Sequence, residues 1–168
     1  MHQSHSENID SGLQISQQIG DKRSEAYLLC ALASKKRIEG KTDESLLIYE
    51  KALNIIEETG DLYAKCKVLD NMANTFADSG DYGKAIENYF GAMKLAKTVG
   101  DDDLYANISW NLATVYNEQE QYDLATKYMQ ITVDFEQKIN HPNADADLEA
   151  LNKVRAKIQN IIKPENEK

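Results

Sequence analysis

A chain of 168 residues that is 42% hydrophobic and 28% charged has the balance of a globular protein, with apolar surface to bury and charge to keep it in water. Its formal charge of −9 argues against nucleic acid, whose phosphates it repels, and favours a basic or neutral partner. No apolar run approaches 18 residues and no charged-then-apolar leader opens the chain, so neither a membrane span nor a secretory signal is expected, and the cytoplasm is the expected setting.

Taken in chain order, the segments are set by the dipeptide Gly-Asp, which returns every forty residues at Gly20-Asp21, Gly60-Asp61 and Gly100-Asp101. Gly ends a helix in the left-handed conformation and the Asp after it caps the next one, so each mark reads as a stop followed by a start. Residues 1–20 precede the first mark and align with the second half of a repeat, Ile9 and Leu13 falling in the columns of Tyr49 and Leu53. The first seven, polar and without periodicity, are expected to be disordered. Three repeats follow at 21–60, 61–100 and 101–140, the last closed by Asn140 in place of Gly. A second break falls midway in each, at Gly40, Gly80 and Glu120, so each repeat is two helices of roughly 17 residues, about 26 Å long. Residues 141–163 hold one more helix, over 145–162, with Leu148, Leu151, Val154, Ile158, Ile161 and Ile162 in one apolar stripe as in a capping helix. Pro164 and the charged tail 164–168 close the chain, and the whole reads as one domain.

Columns inside the repeat say how the helices pack. Leu29, Leu69 and Ser109 are followed three residues on by Leu32, Met72 and Leu112, then by Ala33, Ala73 and Ala113, and three later by Lys36, Phe76 and Tyr116. In the second helix Ser45, Ala85 and Ala125 stand four residues before Tyr49, Tyr89 and Met129, and Ala52, Ala92 and Thr132 follow. Small residues let two helices approach closely, and the large ones fill the space between units. This pattern resembles the tetratricopeptide repeat, in the long form seen in kinesin light chain, the Leu-Gly-Asn repeat proteins and the Rap-type and PlcR-type peptide sensors. The resemblance departs in its forty-residue length and in lacking the Pro near the end of the second helix. It implies an all-α fold, a right-handed α-solenoid of antiparallel helix pairs whose first helices line an inner groove.

By that resemblance the ligand-contacting columns fall on Lys67, Asp70, Asn71 and Asn74 in the second repeat and on Asn107, Trp110, Asn111 and Thr114 in the third. Asn is a middling helix former, so gathering several on one helical face costs stability that exposure alone does not require. Its amide both donates and accepts, as a peptide unit does, and can hold an extended backbone without reading its side chains. Trp110 then supplies a flat apolar anchor, while Lys67 and Asp70 select charge on the ligand. The implied function is that of a non-enzymatic module binding a peptide segment of a partner protein in the groove. The alternative is a self-associating or sensory module of a larger signalling protein, a homodimer forming through apolar residues of the partial leading repeat.

Catalytic chemistry has few candidates. Cys30 and Cys66 lack a C-x-x-C partner and read as buried thiols without a disulfide. His2 and His5 lie at the start and His141 in a turn, so no histidine converges with an acidic pair on one helix face, and no metal is expected. No phosphate-binding glycine loop or nucleophile elbow occurs, so neither a cofactor nor an activity of its own is expected.

Overall fold

Backbone φ turns positive at Gly20, Gly40, Gly60, Gly80, Gly100, Glu120 and Asn140, once every twenty residues, and helices fill the intervals. In the computed structural model, which describes residues 3–162 and the side chains of 8–161, these are α1 (Gln3–Ile19), α2 (Lys22–Ile38), α3 (Thr42–Thr59), α4 (Leu62–Asp78), α5 (Tyr82–Val99), α6 (Asp102–Glu118), α7 (Tyr122–Ile139) and α8 (Ala144–Ile162). The described residues are all-α, as the sequence leads one to expect. Among them no helix is long and apolar enough to cross a membrane.

The two halves of each Gly-Asp mark do what their chemistry predicts. Asp21, Asp61 and Asp101 accept from the backbone N–H of Ser24, Ala64 and Leu104 at 3.0, 2.9 and 2.8 Å, and Asp81 accepts from that of Lys84 at 3.2 Å. Lys41 and Gln121, ahead of α3 and α7, make no side-chain cap. The Ser24 hydroxyl and amide beside Asp21 hold its carboxyl below the usual carboxylate range, and the Lys84 side chain and amide do the same for Asp81.

A side chain in the left-handed region costs about 1–2 kcal/mol, which glycine escapes. Glu120, at φ 59°, bears that cost where Gly40 and Gly80 do not. Glu120→Gly is therefore expected to raise the free energy of unfolding by about 1 kcal/mol, and Gly80→Ala to lower it by a similar amount, both read from urea melts. No atom lies within 4 Å of a Cβ built at Gly80, so the loss arises from conformation and not from crowding.

The chain divides into two compact bodies, residues 1–95 and 96–168, and the division falls inside α5 and not at a repeat boundary. In the N-terminal body, Ala26, Ala33, Tyr49, Ile56, Ala64, Val68 and Met72 form one buried cluster, with Cys30, Leu46, Leu53 and Phe76 packed against it. Lys36 stands where later repeats carry an aromatic residue, and it reaches Glu44 at 2.8 Å. Gly91 is a close-packing glycine, since a Cβ there would lie 3.2 Å from Leu69 Cδ1, whereas a Cβ at Gly83 would make only an ordinary contact with Asp81 Oδ1 at 3.8 Å. Helix α1 packs on α2 through Gly12 and Leu28, with Ile9 and Leu13 half-buried. It begins at Gln3, earlier than its polar opening residues suggest, while Met1 and His2 lie outside the described residues.

In the C-terminal body the core is formed by Leu104, Ile108, Leu112, Ala113, Val133 and Leu151, each 5% exposed or less. Along the α8 stripe Leu151 and Val154 are buried and Leu148 and Ile158 half-buried, but Ile161 is 68% exposed, so the apolar stripe outruns the surface its neighbours cover. The tail 164–168 lies outside the described residues.

The small columns behave alike in both bodies: Ala33, Ala73 and Ala113 are all fully buried. One pair of columns carries a hydrogen bond whose direction reverses between repeats. Cys66 Sγ donates to the Ala92 carbonyl at 3.1 Å, whereas forty residues on Thr132 Oγ1 donates to the Ala106 carbonyl at 2.7 Å. The contact is kept while the donor moves to the opposite helix.

Candidate binding face and the α6–α7–α8 cavity

In the N-terminal body α4 carries Lys67, Asp70, Asn71 and Asn74 at the three- and four-residue spacings that share a helical face. Lys67 is exposed, Asn71 and Asn74 are half-buried, and Asp70 is only 9% exposed. Asn74 has a structural partner on each end of its amide. Its Nδ2 donates to the Asp70 carbonyl at 3.0 Å, and its Oδ1 accepts from the buried Tyr89 hydroxyl at 2.8 Å.

The preceding repeat repeats that arrangement, with the Tyr49 and Ser34 hydroxyls bonded at 2.8 Å in the same two columns. In the third repeat the tyrosine column holds Met129, which needs no polar partner, and Thr114 in the facing column is exposed and donates to the Trp110 carbonyl at 3.1 Å. A buried hydroxyl therefore accounts for Asn74, and sequence spacing alone did not reveal it. Asn74→Ala is expected to cost about 1 kcal/mol by stranding the Tyr89 hydroxyl. Asn107→Ala, on an exposed position, is expected to change the melting midpoint little, and urea denaturation of both variants reads the difference.

In the C-terminal body α6 carries Asn107, Trp110, Asn111 and Thr114. Asn107 is exposed and donates to the Asp103 carbonyl at 2.9 Å, while Trp110 and Asn111 are half-buried. Asn107, Trp110 and Asn111 meet on one wall of a cavity of about 410 Å³, closed on its other sides by Phe135 and Glu136 of α7 and by His141, Asn143 and Asp147. Thr114 is not part of that wall.

Local backbone geometry builds the far side of the cavity. Asn140, at φ 54°, ends α7 with a tight reversal in which the His141 N–H donates to the Glu136 carbonyl at 2.8 Å. That reversal sets His141 Nδ1 3.2 Å from Glu136 Oε1. The sequence leads one to expect no histidine beside an acidic pair on one helix face; His141 meets Glu136 across a turn instead. Glu136 is 8% exposed, and its Oε2 is buried with no hydrogen-bond partner. Burial first, and Asp147 second, push its carboxyl above the usual range, against the opposing pull of His141. Its position five residues before His141 and eleven before Asp147 was the only sequence signal of the cluster.

The thiols are structural. Cys66 is fully buried with its Sγ on the Ala92 carbonyl, and burial pushes the Cys30 thiol up to about 11. Among the described residues no group of three His, Cys, Asp or Glu side chains is placed to hold a metal ion.

Residues 65–134 match the family model of the tetratricopeptide repeat. Compared by sequence with proteins of curated function, the chain has no significant match. Among solved structures, the apo form of RapI aligns over 86% of this chain and 41% of its own, with a TM-score of 0.77 and 21% identity. BtubC (BKLC) from P. vanneervenii aligns over 97% of this chain and 84% of its own, with a TM-score of 0.65 and 18% identity. A kinesin light chain-like protein of nearly identical repeats from Podosopora anserina aligns over 75% and 63%, with a TM-score of 0.64 and 16% identity. At these identities the likeness is one of fold, and this chain spans less than half the length of RapI.

Proposed function

We propose that this chain, whose residues 65–134 match the tetratricopeptide repeat model and whose fold is like that of repeat proteins of this type, is a non-enzymatic module that holds a peptide segment of another protein on the exposed face of α6. The observation that carries this reading is the collection of Asn107, Trp110 and Asn111 on one wall of an open cavity. Two amides there can pair with a peptide backbone, and a half-buried indole offers apolar area at small entropic cost. On α4, Lys67 and Asn71 offer related chemistry in the N-terminal body, while Asn74 is committed to Tyr89. Two cysteines without a disulfide suit a reducing compartment such as the cytoplasm.

The test is selection of binders from a random peptide library, followed by calorimetric titration of the best. Asn107→Ala/Asn111→Ala is expected to weaken that peptide by about tenfold or more with an unchanged melting temperature. Undiminished affinity in the double variant would remove α6 as the binding face, and Asn71→Ala reports separately on α4.

A specific observation favours a second reading, self-association through α1. Ile15 and Ile19 are 57% and 70% exposed on that helix, whereas the Ile9 and Leu13 expected to form the contact are half-buried against the body of the protein. Light scattering across a concentration series decides it. A mass that doubles in wild type and stays monomeric in Ile15→Glu/Ile19→Glu supports this reading, and a constant monomer ends it.

A further inference from the structure

The cavity walled by α6, α7 and the start of α8 is charged in one sense. Asp103, Glu136 and Asp147 line it, and no lysine or arginine does; His141 is the one basic group on its walls. The carboxylates belong to three separate segments, so they do not arise from a single solvated helix face. Glu136 is the decisive member. It is more than nine-tenths buried, one oxygen faces His141, and the other is shut from water without a donor. A buried carboxylate without a donor is costly, and the Asp147 carboxyl against Glu136 adds to that cost, so a positively charged donor entering the cavity relieves both.

Aromatic walls define what that donor is. Trp110 and Phe135 line the same cavity, and an indole face beside carboxylates is the arrangement that holds an organic cation, through cation–π attraction and charge-assisted hydrogen bonds together. A volume of about 410 Å³ lies within the range of small ligand pockets. We propose that this cavity receives the cationic side chain, arginine or lysine, of the bound segment, with Glu136 and Asp147 as its carboxylate partners and Trp110 as its aromatic wall. The proposal rests on the reading of α6 as a peptide-binding face and gives that face a chemical preference. The chain's formal charge of −9 works in the same direction, by drawing basic segments towards it.

Burial and the neighbouring Asp147 push the Glu136 carboxyl above the usual carboxylate range, with His141 acting in the opposing sense and Asp103 in the same one. As pH falls through that raised value Glu136 loses its charge, and affinity for the cation falls with it.

Trp110 is the only tryptophan of the chain, so its emission reports directly on the cavity. The probes are acetyl-Gly-Arg-Gly-amide and its citrulline counterpart, which keeps the shape of the arginine and removes its charge. A saturable change in emission with the arginine peptide, about tenfold weaker with citrulline, is the expected result. Glu136→Gln, and independently Asp147→Asn, should weaken the arginine peptide by about tenfold, with helicity and melting checked for each. Asp145→Asn, an exposed acid of α8 outside the cavity, should leave affinity within about twofold.

Equal binding of the two peptides, no saturation by about 10 mM, or equal losses from Asp145→Asn and Glu136→Gln would each overturn the proposal. The two readings fail separately. A library-selected peptide that depends on Asn107 and Asn111 but is indifferent to Glu136→Gln keeps the binding face and removes the cation pocket.

Discussion

Leu112→Ala is expected to lower the free energy of unfolding by about 2–5 kcal/mol, measured by urea denaturation with an unchanged m-value. Leu112 is fully buried on α6. Truncation removes three carbons from the core, and the space left behind closes only in part. Ala113, Ala125, Val133 and Leu151 of the same body are fully buried as well, so its core holds little loose side chain to fill that space. A domain of this size has roughly 5–15 kcal/mol in all, so this one change removes a large share of it. A loss below about 1 kcal/mol would mean that Leu112 is not a core residue of the kind its burial indicates.

The adjacent position is expected to fail in the opposite sense. Ala113→Leu adds three carbons where there is no room, and overpacking of this kind costs typically 1–3 kcal/mol and forces side chains off their rotamers. Ala113 shares its column with Ala33 and Ala73, and all three have no exposed surface. The small side chain is thus a requirement of close helix approach and not of helix propensity, since leucine is nearly as good a helix former as alanine. Thermal melting of Ala113→Leu beside Ala156→Leu, an exposed alanine of α8, separates the two causes. Only the buried substitution should lower the midpoint.

The helical framework was legible in the sequence because its marks are local. The Gly-Asp pairs combine a left-handed stop with a side-chain cap, and Asp21, Asp61 and Asp101 cap the helices that follow them. The buried columns were legible because 3.6-residue periodicity separates inside from outside, as Ala33, Ala73 and Ala113 show. Spacing also grouped Asn107, Trp110 and Asn111 on one side of α6, where they share a cavity wall. What spacing could not show was which polar residues are already occupied. Asn74 sits in a ligand-facing column yet holds the Tyr89 hydroxyl fifteen residues away, and Asp70 is almost closed to solvent. The acidic side of the cavity escaped notice because Glu136, His141 and Asp147 lie on a helix, a turn and a second helix. They come together only through the backbone reversal at Asn140.

The regular spacing of those reversals governs which changes in chain length the protein can absorb. Within a helix, each added residue turns everything beyond it by about 100°, one step of the 3.6-residue winding. A single codon inserted near Ile108 would force Leu112 into the closed place of Ala113, turn Ala113 out to the exposed place of Thr114 and bring Asn111 and Thr114 in, a change no side-chain repacking could repair. Forty residues inserted at Gly100-Asp101 would instead bring their own stop and start and leave every existing inside face where it was. Frame-preserving duplication is therefore a tolerated route by which this chain can lengthen, and small in-helix insertions are not.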